Sequence, residues 1–169
     1  GNFVAYKNRI ISASPMGVVS FPMSGEEIER VETEIAKHGE NAGRLLQRAK
    51  LRLSLGDTEK GLLDLRNALK ISANAAAKEK VRPLLFRALL LSSMAGEKYT
   101  SAQLAEAGTL AKSEEEQRFY LLKLGQHERR IGNMSAAIDA FRSYAKKGGE
   151  EFMLVDDNHG LRVLSGPWL

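Results

Sequence analysis

Three glycines, Gly56, Gly96 and Gly132, punctuate the chain at spacings of 40 and then 36 positions, each between apolar runs of helical period. A repeat of this length is the signature of stacked helix pairs, because one amphipathic pair cannot bury its apolar side alone. Before Gly56, the residues Leu45, Leu46, Ala49 and Leu53 recur at helical spacing; after it, Asp57 is placed to cap a helix carrying Leu62, Leu65, Ala68 and Leu69. Ser113-Glu114-Glu115-Glu116 is a capping box, in which the serine hydroxyl accepts from an amide three residues on and the glutamate reaches back. It opens a helix predicted to run to Ile131 and stop at Gly132, followed by another from Met134 to Lys147 that ends at Gly148-Gly149.

Ser24-Gly25-Glu26-Glu27 reads as an earlier capping box, ahead of Ile28, Val31 and Ile35, with Gly39 as the C-terminal stop. A long apolar helix is expected between Asn74 and Ala95. Pro83 suits its first turn, which would make the Ala-rich stretch before it a separate or kinked turn. Thr100 or Ser101 begins a shorter helix with Leu104, Ala107, Leu110 and Ala111.

The two ends differ. Phe3-Val4-Ala5-Tyr6, Arg9-Ile10-Ile11-Ser12 and Val18-Val19-Ser20-Phe21 are β-prone runs parted by Lys7-Asn8 and Pro15-Met16-Gly17. Phe152-Met153-Leu154-Val155 and Leu161-Arg162-Val163-Leu164 flank a polar turn at the other end. The expected organisation is a β-hairpin or extended segment over 1–23, a helical repeat domain over 24–149 and an extended β-like tail over 150–169. The fold class is mainly α, with antiparallel helix-hairpin repeats in about three pairs and short β-hairpin segments at both termini.

Composition narrows the function classes. A chain with 43% hydrophobic and 27% charged residues has ordinary globular usage and is expected to fold. Its net charge is +4, but the signs alternate; Lys78-Glu79-Lys80-Val81-Arg82 and Arg129-Arg130 are short, whereas nucleic-acid binding calls for a continuous basic stripe. There is no cysteine, hence no disulfide framework or cysteine-based zinc site. No apolar run is long enough to span a membrane. The start, Gly1-Asn2-Phe3-Val4, lacks an initiator Met and a signal-peptide pattern, and the chain is read as a piece of something longer whose compartment stays open.

The last helix pair shows the packing pattern best. Leu121, Leu124-Gly125, the Gly132-Asn133 turn, Ala137 and Phe141 occupy alternating small and large positions, and Leu45, Ala49, the Gly56-Asp57 turn, Leu65 and Ala68 repeat them in the first pair. Small residues let paired helices approach, while Leu45, Leu65 or Phe141 fills the remaining gap. Over residues 41–147 this resembles a tetratricopeptide repeat protein, with two fair repeats and one degenerate one around Gly96. Gly61 stands where that family prefers alanine, and the terminal proline is missing from the first and last units. Arg9-Ile10-Ile11-Ser12-Ala13-Ser14-Pro15-Met16-Gly17-Val18-Val19 resembles part of a quinoprotein-like β-propeller blade, which would make the helical repeats an insertion in a propeller protein.

No catalytic constellation is present in the sequence. His38, His127 and His159 are each alone in their segments, His38 and His127 read as surface residues, and Asp156-Asp157-Asn158-His159-Gly160 reads as a polar turn without the closing glutamate of a calcium loop. The Glu runs fall in first helical turns, where the helix dipole favours them. No nucleophile elbow, phosphate loop or dinucleotide fingerprint occurs. The expectation is a non-enzyme with no cofactor and no metal, acting as a scaffold for a protein or peptide. The alternative is a structural insertion docking within a longer parent. The resemblance implies that the first helix of each pair lines a concave surface, which assigns partner binding to Lys50, Leu53, Phe86 and Leu90 and, further on, to Phe119, Gln126, Arg129 and Arg130. Lys50 and the two arginines would form a basic edge suited to a carboxylate.

Overall fold

The computed structural model describes residues 2–6, 9–14, 17–22, 24–91, 100–147, 152–157 and 160–165. The chain is mainly α, and seven helices occur among the described residues: α1 (Ser24–His38), α2 (Ala42–Ser54), α3 (Thr58–Ile71), α4 (Ala75–Leu91), α5 (Ser101–Leu110), α6 (Glu114–Arg130) and α7 (Met134–Lys147). The backbone also forms β1 (Asn2–Tyr6), β2 (Arg9–Ser14) and β3 (Gly17–Pro22), antiparallel in that order, and an antiparallel pair of β4 (Phe152–Asp157) and β5 (Gly160–Ser165). Two compact units divide the chain at Ala88 and Leu89.

In the first unit, α1 packs on α2 and α2 pairs tightly with α3. The α2–α3 core consists of Leu45, Ala49, Leu62, Leu65 and Ala68, each buried. Gly61 also lies in this seam. A Cβ placed there would come 2.7 Å from Leu53 Cγ, so its missing side chain is what lets α2 and α3 approach. Glu27, at the start of α1, accepts from Arg30 in its own helix and from Gln47 Nε2 of α2 at 2.9 Å.

Within the second unit, α6 pairs tightly with α7 and α5 rests on α6. Gly125 makes the closest approach: a Cβ there would lie 2.6 Å from Phe141 Cε1. Ala137, Ala140 and Tyr144 complete the buried side of α7. Tyr120 of α6 lies over Gly108 of α5, again where no Cβ would fit without movement.

The two hairpin turns share their glycine conformation and their closing bonds. Gly56 and Gly132 have φ of 82° and 84°, a backbone region that glycine enters without steric cost. The next residue closes each turn: Asp57 N–H donates to the Arg52 carbonyl and Asn133 N–H to the Glu128 carbonyl, both at 2.9 Å. The same side chains then cap the following helices, Asp57 Oδ1 accepting from Lys60 N and Asn133 Oδ1 from Ala136 N, each at 3.4 Å. Counted from the turn glycine, Ala49 corresponds to Gly125, Gly61 to Ala137, Leu65 to Phe141 and Ala68 to Tyr144. Packing and turn chemistry thus repeat together, as a helical repeat requires.

Helix starts follow the local code. Ser113 Oγ accepts from Glu116 N at 3.1 Å, while Glu116 Oε2 accepts from Ser113 N at 3.2 Å and Lys112 N at 2.9 Å. Thr100 and Gln103 form the equivalent box on α5. Replacing Ser113 by Ala leaves the Glu116 amide without this acceptor, and a loss of about 1 kcal/mol in urea unfolding is expected; a change too small to measure would show that the cap adds nothing. α4 departs from the expectation for Pro83. Asn74 caps it, accepting from Ala77 N at 2.8 Å, and the helix continues through Pro83 to Leu91. Asn74 supplies the start signal nine residues earlier, so the proline lies inside the helix rather than in its first turn. Gly96, Lys98 and Tyr99, which carry the degenerate middle repeat, lie outside the described residues.

Candidate functional site

The predicted partner-binding residues fall into two groups. Lys50 is exposed on α2 and Arg129 is exposed at the end of α6. Phe119 and Gln126 are half-buried on α6. Leu53, Phe86 and Leu90 are occupied differently. Leu53 is half-buried against Gly61, inside its own hairpin. Phe86 and Leu90 are 2% and 0% exposed, so in this structure they contribute to the core rather than to an open surface. Aliphatic and aromatic side chains go where they lose most water, and helical register alone does not separate a binding face from a packing face.

Arg130, although exposed, is not a free edge cation. Its Nη2 lies 3.1 Å from Nδ1 of His127, and Nε2 of the same ring lies 3.2 Å from Ser101 Oγ on α5. His127 is therefore not the surface residue its isolation in the sequence suggested: it is 4% exposed. A guanidinium can only donate, so Nδ1 accepts, and the remaining proton resides on Nε2 and is donated to Ser101. That arrangement runs opposite to nucleophilic catalysis. An activating imidazole accepts from the serine hydroxyl through one nitrogen and donates to a carboxylate through the other; here the ring donates toward the serine and faces a cation. The cluster ties α5 to α6 instead. His38, by contrast, is exposed near the end of α1, in loose contact with Glu34 at 3.8 Å.

Sequence reasoning missed a second cluster. Asp64 on α3 is 1% exposed and accepts from Arg48 Nε at 2.9 Å, Arg48 Nη2 at 2.7 Å and Arg52 Nη1 at 2.9 Å. Arg52 Nη2 continues to Glu32 of α1 at 3.0 Å, and Arg48 Nη2 lies 3.6 Å from Glu40. The hydrogen bonds to Asp64 raise the pKa of Arg48 above its usual value. One carboxylate thus takes a bidentate fork and a third charge-assisted bond, joining α1, α2 and α3. The signal was present: Arg48 and Arg52 are four residues apart on one face of α2, and Asp64 interrupts the buried face of α3 between Leu62 and Leu65. In the α6–α7 hairpin the corresponding positions are Leu124, Glu128 and Ala140, so the network belongs to the first repeat alone.

The α6 surface holds another cation. Lys123 Nζ lies 5.5 Å from the centroid of Phe119, one helical turn earlier. The residue is half-buried, and burial lowers its amine below the ordinary lysine range. Among the described residues no carboxylate lies within ion-pair distance of it. Burial also raises Tyr120, with the Glu128 carboxylate adding to the effect.

Among the described residues no group of three or more His, Cys, Asp or Glu is arranged to hold a metal ion. No described helix is long and apolar enough to cross a membrane. The loop residues Asn158 and His159 lie outside the described residues. No protein-family model, curated protein or solved structure matches the chain.

Proposed function

We propose that the chain is a tetratricopeptide-like scaffold that binds a peptide or protein segment on the exposed side of the first helix of a pair, a side that α2 and α6 each present in their own unit, without catalysis. The observation that carries this reading is the equivalence of the two hairpins, in which turn, cap and small-to-large packing coincide. Helix pairs built to one template commit the second helix to packing and leave a side of the first available to a partner. A peptide selected from a displayed library against the full chain should shift the amide resonance of Lys50 where it takes α2, and those of Gln126 and Arg129 where it takes α6. The Arg129→Glu variant should weaken that peptide about tenfold, equivalent to roughly 1.4 kcal/mol. Shifts confined to α3 and α7, or no selectable peptide, would sink the proposal. Arg130 is unsuited to this test, because changing it also removes the bond to His127.

The second reading, a structural insertion that docks within a longer parent alongside β-propeller strands, has its own support. Met134 and Ile138 are 59% and 49% exposed and lie one turn apart at the start of α7, and Ile131, which caps the end of α6, is 56% exposed. In the first hairpin the position matching Ile138 is Leu62, which is 3% exposed. Leu55, which matches Ile131, is itself 54% exposed, so the difference between the copies lies at Ile138, where an open apolar position suits a covering element. Under this reading, Met134→Lys with Ile138→Lys abolishes capture by the remainder of the parent and leaves helical content intact; unchanged capture would exclude it.

A further inference from the structure

We infer that the side of α6 carrying Phe119, Lys123 and Gln126 takes up a carboxylate of the bound segment, with the Lys123 ammonium as its anchor. The inference rests on the peptide-binding reading above and adds the chemistry of the partner. Lys123 lies between Tyr120 and His127 along α6, at i+3 and i−4, and both of those residues touch α5. Its ammonium is therefore drawn partly out of water, and among the described residues no carboxylate lies within ion-pair distance of it. Glu116, the nearest acid toward the N-terminus of α6, is engaged at the helix cap. The contact resolved for the ammonium is the Phe119 ring. Partly burying a charge without an opposite charge is costly, and burial already lowers the amine of Lys123.

The repeat shows what the position accepts. Nine residues before the turn glycine, Lys123 corresponds to Gln47 of α2. Gln47 already holds a carboxylate: its Nε2 donates to Glu27 Oε1 of α1 at 2.9 Å. In the first hairpin the preceding helix supplies the acid; in the second, a stronger donor occupies the same place, with no acid at ion-pair distance among the described residues. Gln126, one turn further along α6, adds amide donors on the same side.

The test uses the full chain and peptides selected on it from a displayed library, synthesised with free and with amidated C-termini and with each Asp or Glu changed to its amide. Binding is read by fluorescence anisotropy for wild type, Lys123→Met and Lys123→Arg. Methionine keeps an apolar stem, so circular dichroism should show an unchanged fold. The Met variant should bind about tenfold more weakly or worse, and the Arg variant within a few-fold of wild type. The Lys123 amine, followed by NMR, should titrate at higher pH with peptide bound. Loss of binding on amidating the C-terminus identifies a terminal carboxylate, and loss on a Glu→Gln or Asp→Asn change identifies a side chain. Selected peptides that bind Lys123→Met as tightly as wild type overturn this inference and leave the scaffold reading standing. Failure to select any peptide overturns both.

Discussion

Replacing Asp64 by Ala should cost the first helical unit about 3–4 kcal/mol. The aspartate is 1% exposed and holds two guanidinium groups, whose own side chains are 14% exposed. Without it, Arg48 and Arg52, one turn apart on the same face of α2, lose their shared buried counter-charge and keep only the half-exposed Glu40 and Glu32. Removing one member of a buried ion cluster is far worse than removing all of it, because the survivors stay desolvated and unpaired. Asp64→Asn, which keeps one acceptor oxygen, should lose less. The triple change Arg48→Met, Arg52→Met, Asp64→Leu should return to within about 1 kcal/mol of wild type. Urea unfolding followed by circular dichroism measures all three. A loss below about 1 kcal/mol for Asp64→Ala would mean that the arginines find water or Glu32 and Glu40 instead, and that the network contributes little to stability.

The second large effect concerns Gly125. An alanine Cβ would stand 2.6–2.8 Å from three carbons of the Phe141 ring, so the first added carbon already forces the ring to move. Against this stands the helix preference for alanine over glycine, about 1 kcal/mol. Overpacking at a close helix crossing costs about 1–3 kcal/mol, so Gly125→Ala should be near neutral to mildly destabilising. Gly125→Leu leaves the ring no accommodating shift and should cost about 3 kcal/mol, with α6 and α7 driven apart. Pairing Gly125→Ala with Phe141→Leu should recover stability lost in the single Ala variant, since the smaller side chain vacates the contested volume. The diagnostic quantity is the coupling energy of that double-mutant cycle. A cycle without coupling would show that Phe141 turns outward freely and that the crossing tolerates a larger residue.

Both predictions concern buried positions in tightly packed helix pairs, yet one is legible in the sequence and the other is not. Gly125 and Phe141 stood out because small and large residues alternate around the Gly132-Asn133 turn, and that alternation has only one physical use at helical spacing. Asp64 does not stand out in the sequence because a charged cluster is legible there only when its members are close along the chain. Its partners lie 12 and 16 positions away, on another helix. His127 was misread for a related reason: an isolated histidine reveals nothing of its burial until α5 brings Ser101 to one nitrogen and Arg130 turns to the other. Pro83 was judged by its local preference alone, and the helix starting at the Asn74 cap overrode it.

What the sequence determined by itself was local. Capping residues such as Ser113, Thr100 and Asp57, turn glycines at positions 56 and 132, and the 3.6-residue period of the apolar positions act within a few residues, so they can be read in order along the chain. What only the tertiary structure decided was which members of an apolar or charged set face each other. Phe86 and Leu90 entered the core, Leu53 closed over Gly61, Asp64 gathered two arginines, and Lys123 settled half-buried over the Phe119 ring. Burial and ion pairing depend on the neighbouring helix, and a single strand of sequence carries no record of which helix that will be.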